Sequence, residues 1–383
     1  MSQQLNEELT LFRDTVVAFI ENEVAPYYDE WEQNKIVPKA VWRKLGENGL
    51  LGCDLPEQYG GYGVDFRFNM LVIEELSRAG FMTLGGNIAV HSDICCHYLL
   101  NMGTEAQKQK YLPKMASGDI IGAICMSEPG AGSDLQGMKT TAVKQGDTWK
   151  LNGSKTFISN GQNGSLYIVA ARTDLAERAA KGITLFLVDG DKKGFQRGKN
   201  LEKLGHHCGD TSELFFDDVE LTDDDILGGL HQGFVGLMQE LPRERLSLAC
   251  AAVAHAEGAL ELAVEYVNER HAFGKPLANL QDIRFKLAEM YTMTETHRVL
   301  VEAYKLRIQE KALSAVDASM AKLTCTEIEG KVVDMALQMF GGYGYMKEYP
   351  ISRFYADARV QRIYGGTSEI MKEIISRQVV QPS

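Results

Sequence analysis

No stretch of 18 uncharged apolar residues occurs in this chain, so an integral membrane helix is not expected. Basic residues are in deficit: 40 Lys and Arg stand against 52 Asp and Glu, a net charge of −12. That balance speaks against a nucleic-acid footprint, which needs a clustered basic face, and against anionic membrane surfaces. It leaves room for an anionic ligand held by local basic residues. No two of the seven cysteines stand as C-x-x-C. Cys53, Cys95, Cys96, Cys125, Cys208, Cys250 and Cys325 therefore read as reduced, buried thiols. A bridge between the adjacent Cys95 and Cys96 would be strained. The opening Met1-Ser-Gln-Gln-Leu-Asn-Glu-Glu has neither a basic-then-apolar leader nor an Arg-rich transit pattern, and the expected compartment is the cytoplasm.

What is present is ordinary globular composition, 45% hydrophobic and 24% charged, in a chain long enough for a large shared core. Its patterning changes twice. Up to about residue 116 it is helical: Leu9, Phe12, Val16, Phe19 and Ile20 recur at three- and four-residue spacing. From about 119 to 225 short β-branched and aromatic runs (149–158, 166–171, 183–188) alternate with turn signals such as Asn152-Gly153 and Asp189-Gly190. No helical stretch separates them, which predicts a small antiparallel sheet or barrel. Beyond about 231 long helical stretches return, at 246–268, 278–310 and 314–340, free of proline except at their edges. The expected class is α+β in three parts: a helical domain at 1–118, an antiparallel β domain at 119–228 and a helical bundle at 229–383.

Four Gly-rich loops punctuate this plan. Ser127-Glu-Pro-Gly-Ala-Gly-Ser-Asp134 follows the strand-like run from Ile120 to Met126, and such loops let backbone N–H groups approach a ligand. It is neither a Walker A loop nor G-x-G-x-x-G, and a plain tight turn would read the same. Phe157-Ile-Ser-Asn-Gly161 places an aromatic and a hydroxyl on one face of a strand, where they could meet a planar ring or simply line a core. Gly341-Gly-Tyr-Gly-Tyr345 and Tyr364-Gly-Gly-Thr367 interrupt otherwise helical text, as caps also do. His206-His207 with Asp210 suggests a metal, but adjacent histidines rarely chelate one ion, so these read as loop residues.

Met126-Ser-Glu-Pro-Gly-Ala-Gly-Ser-Asp134, Arg270-His-Ala-Phe-Gly-Lys275, Gln338-Met-Phe-Gly-Gly-Tyr-Gly344 and Ile363-Tyr-Gly-Gly-Thr-Ser-Glu-Ile370 together resemble, in order, the signatures of the acyl-CoA dehydrogenases. The resemblance covers nearly the whole chain and implies an N-terminal helical domain, a middle β domain and a C-terminal four-helix bundle. It implies FAD, an acyl-CoA substrate, a homotetramer and electron-transferring flavoprotein as acceptor. Carried over by motif, flavin contacts would be Ile124, Met126, Ser127, Gly132, Ser133, Phe157, Ile158 and Ser159. Arg270, Phe273, Gln281, Gln338, Met339, Gly341, Gly342, Thr367 and Glu369 would complete them, with Arg270 and Gln281 reaching across a subunit interface.

The reaction so implied is α,β-dehydrogenation to the trans-2-enoyl-CoA: a base takes the α-proton while the β-hydrogen leaves as hydride to the flavin. In many relatives the base is a glutamate between the Tyr and Gly of the last motif. Here that position is Gly365, which has no side chain. The family's second solution puts the glutamate on a C-terminal-domain helix just before Arg-Leu, as in the isovaleryl and long-chain branches. Gln239-Glu-Leu-Pro-Arg-Glu-Arg-Leu246 places Glu244 there. Gly365 is then expected to give a backbone donor to the thioester carbonyl and space for the carboxylate, and Pro242 to kink or start the helix. Ser133, Pro242, Arg245, Tyr364, Gly365 and Gly366 would meet the substrate. A surface Glu244 paired one turn away is the plain alternative, and Glu240 is a rival carboxylate on the same face. The expected substrate is a medium-to-long or branched acyl-CoA, its pocket drawing on the His91–Met102 region. An acyl-CoA oxidase-like enzyme and a binding-only homologue that lost its base are the other readings; no metal is required.

Overall fold

The structure, a computed structural model, describes residues 3–176 and 181–380; Met1 and Ser2 of the N-terminal stretch lie outside them. Among the described residues, helices come first: α1 (Gln3–Phe19), α2 (Tyr28–Asn34), α3 (Lys39–Glu47), α4 (Phe66–Arg78), α5 (Met82–Ala89), α6 (Cys96–Met102) and α7 (Glu105–Ala116). Asp65 accepts the Arg67 N–H ahead of α4, and Thr104 forms a reciprocal capping box with Gln107 ahead of α7. Both satisfy donors that a helix N-terminus leaves open. A wider π-turn, Val90–Cys95, joins α5 to α6, a local departure often found near functional sites.

Eight strands then form one sheet: β1 (Gly122–Cys125), β2 (Thr141–Gln145), β3 (Thr148–Ile158), β4 (Leu166–Arg172), β5 (Ile183–Asp189), β6 (Phe195–Asn200), β7 (Ser212–Leu221) and β8 (Ile226–Leu227). The order is β6-β7-β3-β2-β4-β5-β8, with β1 on β4. β4 and β5 are covered on both faces, which is why they read as continuous apolar runs, whereas β7 alternates. Hairpins make most pairings antiparallel, as expected, but β1 and β2 run parallel to β4. The chain between β1 and β4 is long enough for such a crossover.

The rest is helical: α8 (Gly233–Glu269), α9 (Gln281–Gln309), α10 (Ala315–Phe340), α11 (Pro350–Ala358) and α12 (Ser368–Val379), with a small hairpin of β9 (His271–Ala272) and β10 (Lys275–Pro276) after α8. α8 packs against α4, α9 and α10, and α10 also against α9 and α12. Ala249, Ala252, Ala256, Ala259 and Ala263 recur at three- and four-residue spacing and are fully buried, a stripe of small side chains that lets neighbouring helices come close. At Gly258 even a Cβ would stand 2.0 Å from the Arg78 carbonyl oxygen, so α4 crosses α8 there backbone to backbone. α8 is by length and composition apolar enough to cross a membrane, but 72% of that window is buried inside the protein; its hydropathy is that of a core helix. All seven cysteines are free and buried.

Candidate active site

Glu244 lies about three turns into α8. The helix begins at Gly233, so Pro242 sits within it and does not start it; its missing N–H leaves the Met238 carbonyl without the usual helical donor. Glu244 is 4% exposed, not a solvated surface residue. Tyr98, on α6, donates its hydroxyl proton to Glu244 Oε1 at 2.8 Å. Burial lifts the Glu244 carboxyl to about 7, against the Tyr98 hydrogen bond and the charge of Arg245, which favour the anion; Glu240 pushes the same way as burial. A carboxyl poised there accepts a proton near neutral pH. Glu240, one turn earlier, is buried and receives Asn101 Nδ2 at 2.8 Å.

The flanking arginines point apart, as neighbours on a helix must. Arg243 reaches Asp54 (2.5 Å) and Asp93 (3.0 Å) and stacks over the Phe66 ring. Burial works against the Asp54 carboxylate, but Arg243 and His97 outweigh it and hold it below the usual carboxylate range. Arg245 turns to the last Gly-rich loop: Nε lies 3.4 Å from the Gly365 carbonyl oxygen and Nη1 3.4 Å from Ser319 Oγ. It is 5% exposed, an interior brace of that loop. Lys322, fully buried on α10, donates to the Gly366 carbonyl at 2.7 Å, and burial with Arg245 nearby lowers it to about 8. With both carbonyls held, the backbone N–H of Gly365 has no acceptor among the backbone groups of the described residues.

Gly365 has φ +62° and Gly366 φ +98°, conformations that L side chains rarely adopt. A Cβ on Gly365 would stand 2.3 Å from Leu248 Cδ1, with no atom of Glu244 among its nearest neighbours. The first atom of a side chain at 365 would thus meet Leu248, one turn along α8 from Glu244. Tyr364 is partly buried with its ring edge-on to His206 (6.4 Å). Thr367 caps α12 by accepting the Ile370 N–H, and exposed Glu369 is held below its ordinary range by its own N–H and the Thr367 hydroxyl.

The other sequence-derived residues fall into two groups. Ile124, Met126 and Ser127 are half-buried at the end of β1, and Gly132 and Ser133 are exposed in the loop that follows. Buried Glu128 anchors this loop, taking the Lys139 N–H (2.6 Å), the Thr140 N–H (3.0 Å) and the fully buried Lys155 ammonium (2.8 Å). Lys155 also donates to the Met126 carbonyl at 3.1 Å. Facing the loop glycines is open space: a Cβ on Gly130 or Gly132 would meet nothing within 4 Å. Phe157 is 70% exposed at φ +59°, beside a register shift between β3 and β7, so the strand alternation expected there is broken. Ile158 is buried and Ser159 half-buried. Such strain in a bulky residue points to function.

Arg270, Phe273, Gln281, Gln338, Met339, Gly341 and Gly342 lie at the far end of α8. A cleft of about 340 Å³ opens there between Tyr266, Arg270, Met339, Phe340, Gly342 and Tyr343. Phe273 is 91% exposed at the tip of the β9–β10 turn. Glu244 and Arg270 are separated by about 39 Å along the axis of α8, taking about 1.5 Å per residue, so within one chain Arg270 stands far from Glu244. Asp210 accepts the Gln162 and Asn163 N–H groups, and the His206 backbone N–H donates to Asp357.

The family models for the acyl-CoA dehydrogenase N-terminal, middle and C-terminal domains match residues 6–119, 123–219 and 231–380. The chain belongs to the acyl-CoA dehydrogenase family. It is an oxidoreductase of a family whose members are FAD-dependent. The mitochondrial long-chain specific acyl-CoA dehydrogenase of Rattus norvegicus is 45% identical over 99% of this chain and 88% of its own length. The crystal structure of an acyl-CoA dehydrogenase from Geobacillus kaustophilus superposes with a TM-score of 0.95, at 43% identity, over 99% of this chain and 100% of that one. A Mycobacterium smegmatis glutaryl-CoA dehydrogenase in complex with FADH2 superposes at 0.92, with 27% identity, over 100% and 96%.

Two features of the site escaped the sequence. Tyr98 is 146 residues from Glu244, and nothing in the His91–Met102 region marks it over its neighbours. Lys155 stands in a strand and reads as solvent-facing; a lysine flanked by buried Thr156 and Ile158 is the faint signal.

Proposed function

We propose that this chain dehydrogenates an acyl-CoA thioester at the α,β bond, with Glu244 as the base for the α-proton and a medium-to-long or branched acyl chain as substrate. The observation that carries this reading is the buried Glu244 carboxyl, lifted to about 7, on the helix whose Arg245 also braces Gly365. An α-C–H beside a thioester is a weak acid. Its removal needs a positioned carboxylate and donors for the charge that builds on the carbonyl oxygen. The backbone N–H of Gly365 is such a donor, and Lys322 and Arg245 hold the loop in place.

The residues present fit FAD: an open Gly-rich loop anchored from below, an exposed aromatic at Phe157, and a second Gly-lined cleft with a guanidinium. When bound, FAD supplies the acceptor for two electrons and the β-hydrogen. Ile124–Ser133, Phe157–Ser159 and Thr367 would hold one end. Arg270 lies about 39 Å from Glu244 along α8, and it lines a cleft with Met339, Gly341 and Gly342; in this reading these residues, with Gln281, serve a neighbouring subunit's cofactor in a homotetramer, with the projecting Phe273 reaching across. Electrons then pass to electron-transferring flavoprotein.

Anaerobic addition of acyl-CoAs of graded length and branching, with the flavin absorbance followed, tests this. Rapid bleaching by the wild type, lost in Glu244→Gln with FAD retained, is expected. Full bleaching by Glu244→Gln removes the base assignment, and rapid reoxidation in air would instead mark an oxidase.

A further inference from the structure

Two hydrogen bonds tie α6 to α8 beside the base. Tyr98 Oη donates to Glu244 Oε1 and Asn101 Nδ2 donates to Glu240 Oε1, each at 2.8 Å. Tyr98 and Asn101 are three residues apart on one helix, Glu240 and Glu244 four apart on the other, so both pairs lie on facing stripes. Two rungs fix the register of the helices as one would not. Among the described residues Tyr98 is the one side chain hydrogen-bonded to the Glu244 carboxylate.

We propose that Tyr98 is a positioning residue for the base: it holds Oε1 of Glu244 and leaves Oε2 as the oxygen that receives the α-proton. This rests on Glu244 being the base. Tyr98 is fully buried in the apolar cluster that includes Leu99, Leu112 and Leu237. Turning its hydroxyl away would strand both a buried phenol and a buried carboxylate, so the bond restrains the carboxylate's rotation. Tyr98 gives up no proton: burial and the neighbouring Glu244 and Glu240 charges push its pKa well up, and it stays a donor across the working range. The C–H proton passes to Oε2 while the Oη–H stays on Tyr98.

A donor on the carboxylate favours its anion. The other groups facing Glu244 are Glu240 and Arg245 on its own helix, and the Cys95 thiol from the π-turn, which burial keeps neutral. Tyr98 therefore opposes burial and Glu240, and helps keep the base near neutral and not above it.

The test is the pH profile of kcat/KM for the FAD-loaded enzyme with one acyl-CoA, which reports groups of the free enzyme. In Tyr98→Phe the acid limb is expected to move up by about one pH unit, the scale of one hydrogen bond to a charged group. kcat should fall on the order of 10-fold, with FAD content unchanged. A ring-fluorinated tyrosine at 98, a stronger donor of nearly the same shape, should move the limb down; it carries the test should Tyr98→Phe fold poorly. An acid limb that stays put in both variants, with whatever loss of rate, overturns the proposal and leaves Tyr98 as packing. Glu244→Gln in the same assay separates the two readings. If it stays active, the base assignment falls; if it is inactive while the Tyr98 limb is fixed, only the positioning role falls.

Discussion

Gly365→Ala tests whether the last Gly-rich loop is shaped around α8. Two costs are separable. At φ +62° a Cβ meets its own backbone, which costs an L residue about 1–2 kcal/mol. The same Cβ would stand 2.3 Å from Leu248 Cδ1, where carbon atoms prefer roughly 3.5–4.0 Å, so the Leu248 end must retreat by more than about 1 Å. Leu248 is half-buried and Cδ1 is the end of its side chain, so it yields by rotating, at about 0.5–1.5 kcal/mol. The single variant should then lose about 1.5–3.5 kcal/mol, read as a lower thermal midpoint of the FAD-loaded enzyme. Leu248→Ala removes the clash and not the backbone term. In a double-mutant cycle with Gly365→Ala it should recover about 0.5–1.5 kcal/mol beyond additivity. Costs that add to within about 0.5 kcal/mol would mean the two residues do not compete for one space, and the shaping of this loop by α8 would be wrong.

His91 gives a pH prediction. It is fully buried, its Nε2 3.0 Å from the Met115 carbonyl oxygen and its Nδ1 3.0 Å from the Gly122 nitrogen. Only the neutral ring protonated at Nε2 satisfies both, and burial lowers the pKa to about 4. The unfolded chain, with an ordinary histidine near pKa 6.5, binds more protons between those values, so stability present above pH 6.5 is lost on acidification. At about 1.36 kcal/mol per unit the loss reaches about 2 kcal/mol by pH 5, and the thermal midpoint of His91→Gln should decline less steeply over that range. Lys155→Met leaves Glu128 buried without its cation and should cost about 3–5 kcal/mol. Thermal unfolding and flavin retained after gel filtration would record it, and a variant as stable as wild type would contradict the anchor role.

The sequence made the architecture legible because its signals are local. Spacing of apolar residues separates helix from strand, and the long helices 281–309 and 315–340 fall close to where proline-free periodic text placed them. Glu244 was singled out for another reason: the resemblance pointed to a glutamate before Arg-Leu once Gly365 lacked a side chain, and the structure finds that residue buried. Tyr98, Lys155 and Leu248 were not legible. Each acts across a gap of at least 27 residues in sequence, 27 for Lys155 to Glu128 and 146 for Tyr98 to Glu244, and no periodicity within one segment reports which residue of another it meets. Parallel joins of β1 and β2 to β4 were hidden likewise, since a crossover leaves no turn signature.

With Glu244 as the proposed base, α8 also constrains what stands opposite. On a helix, positions i and i+4 share a face, so the face that carries Glu244 carries Leu248 one turn on. Leu248 fills the space that a side chain at 365 would need. The Cβ of a glutamate returned to 365 would meet that leucine first. With Glu244 as the proposed base, Glu244, Leu248 and Gly365 form one arrangement, and Tyr98 donates to the carboxylate. Restoring a loop base by Gly365→Glu in a Glu244→Gln background should fail to bleach the flavin. Adding Leu248→Ala should allow measurable bleaching, still slowed by the strained φ. Equal activity with and without Leu248 would show that the leucine plays no part in excluding the loop base.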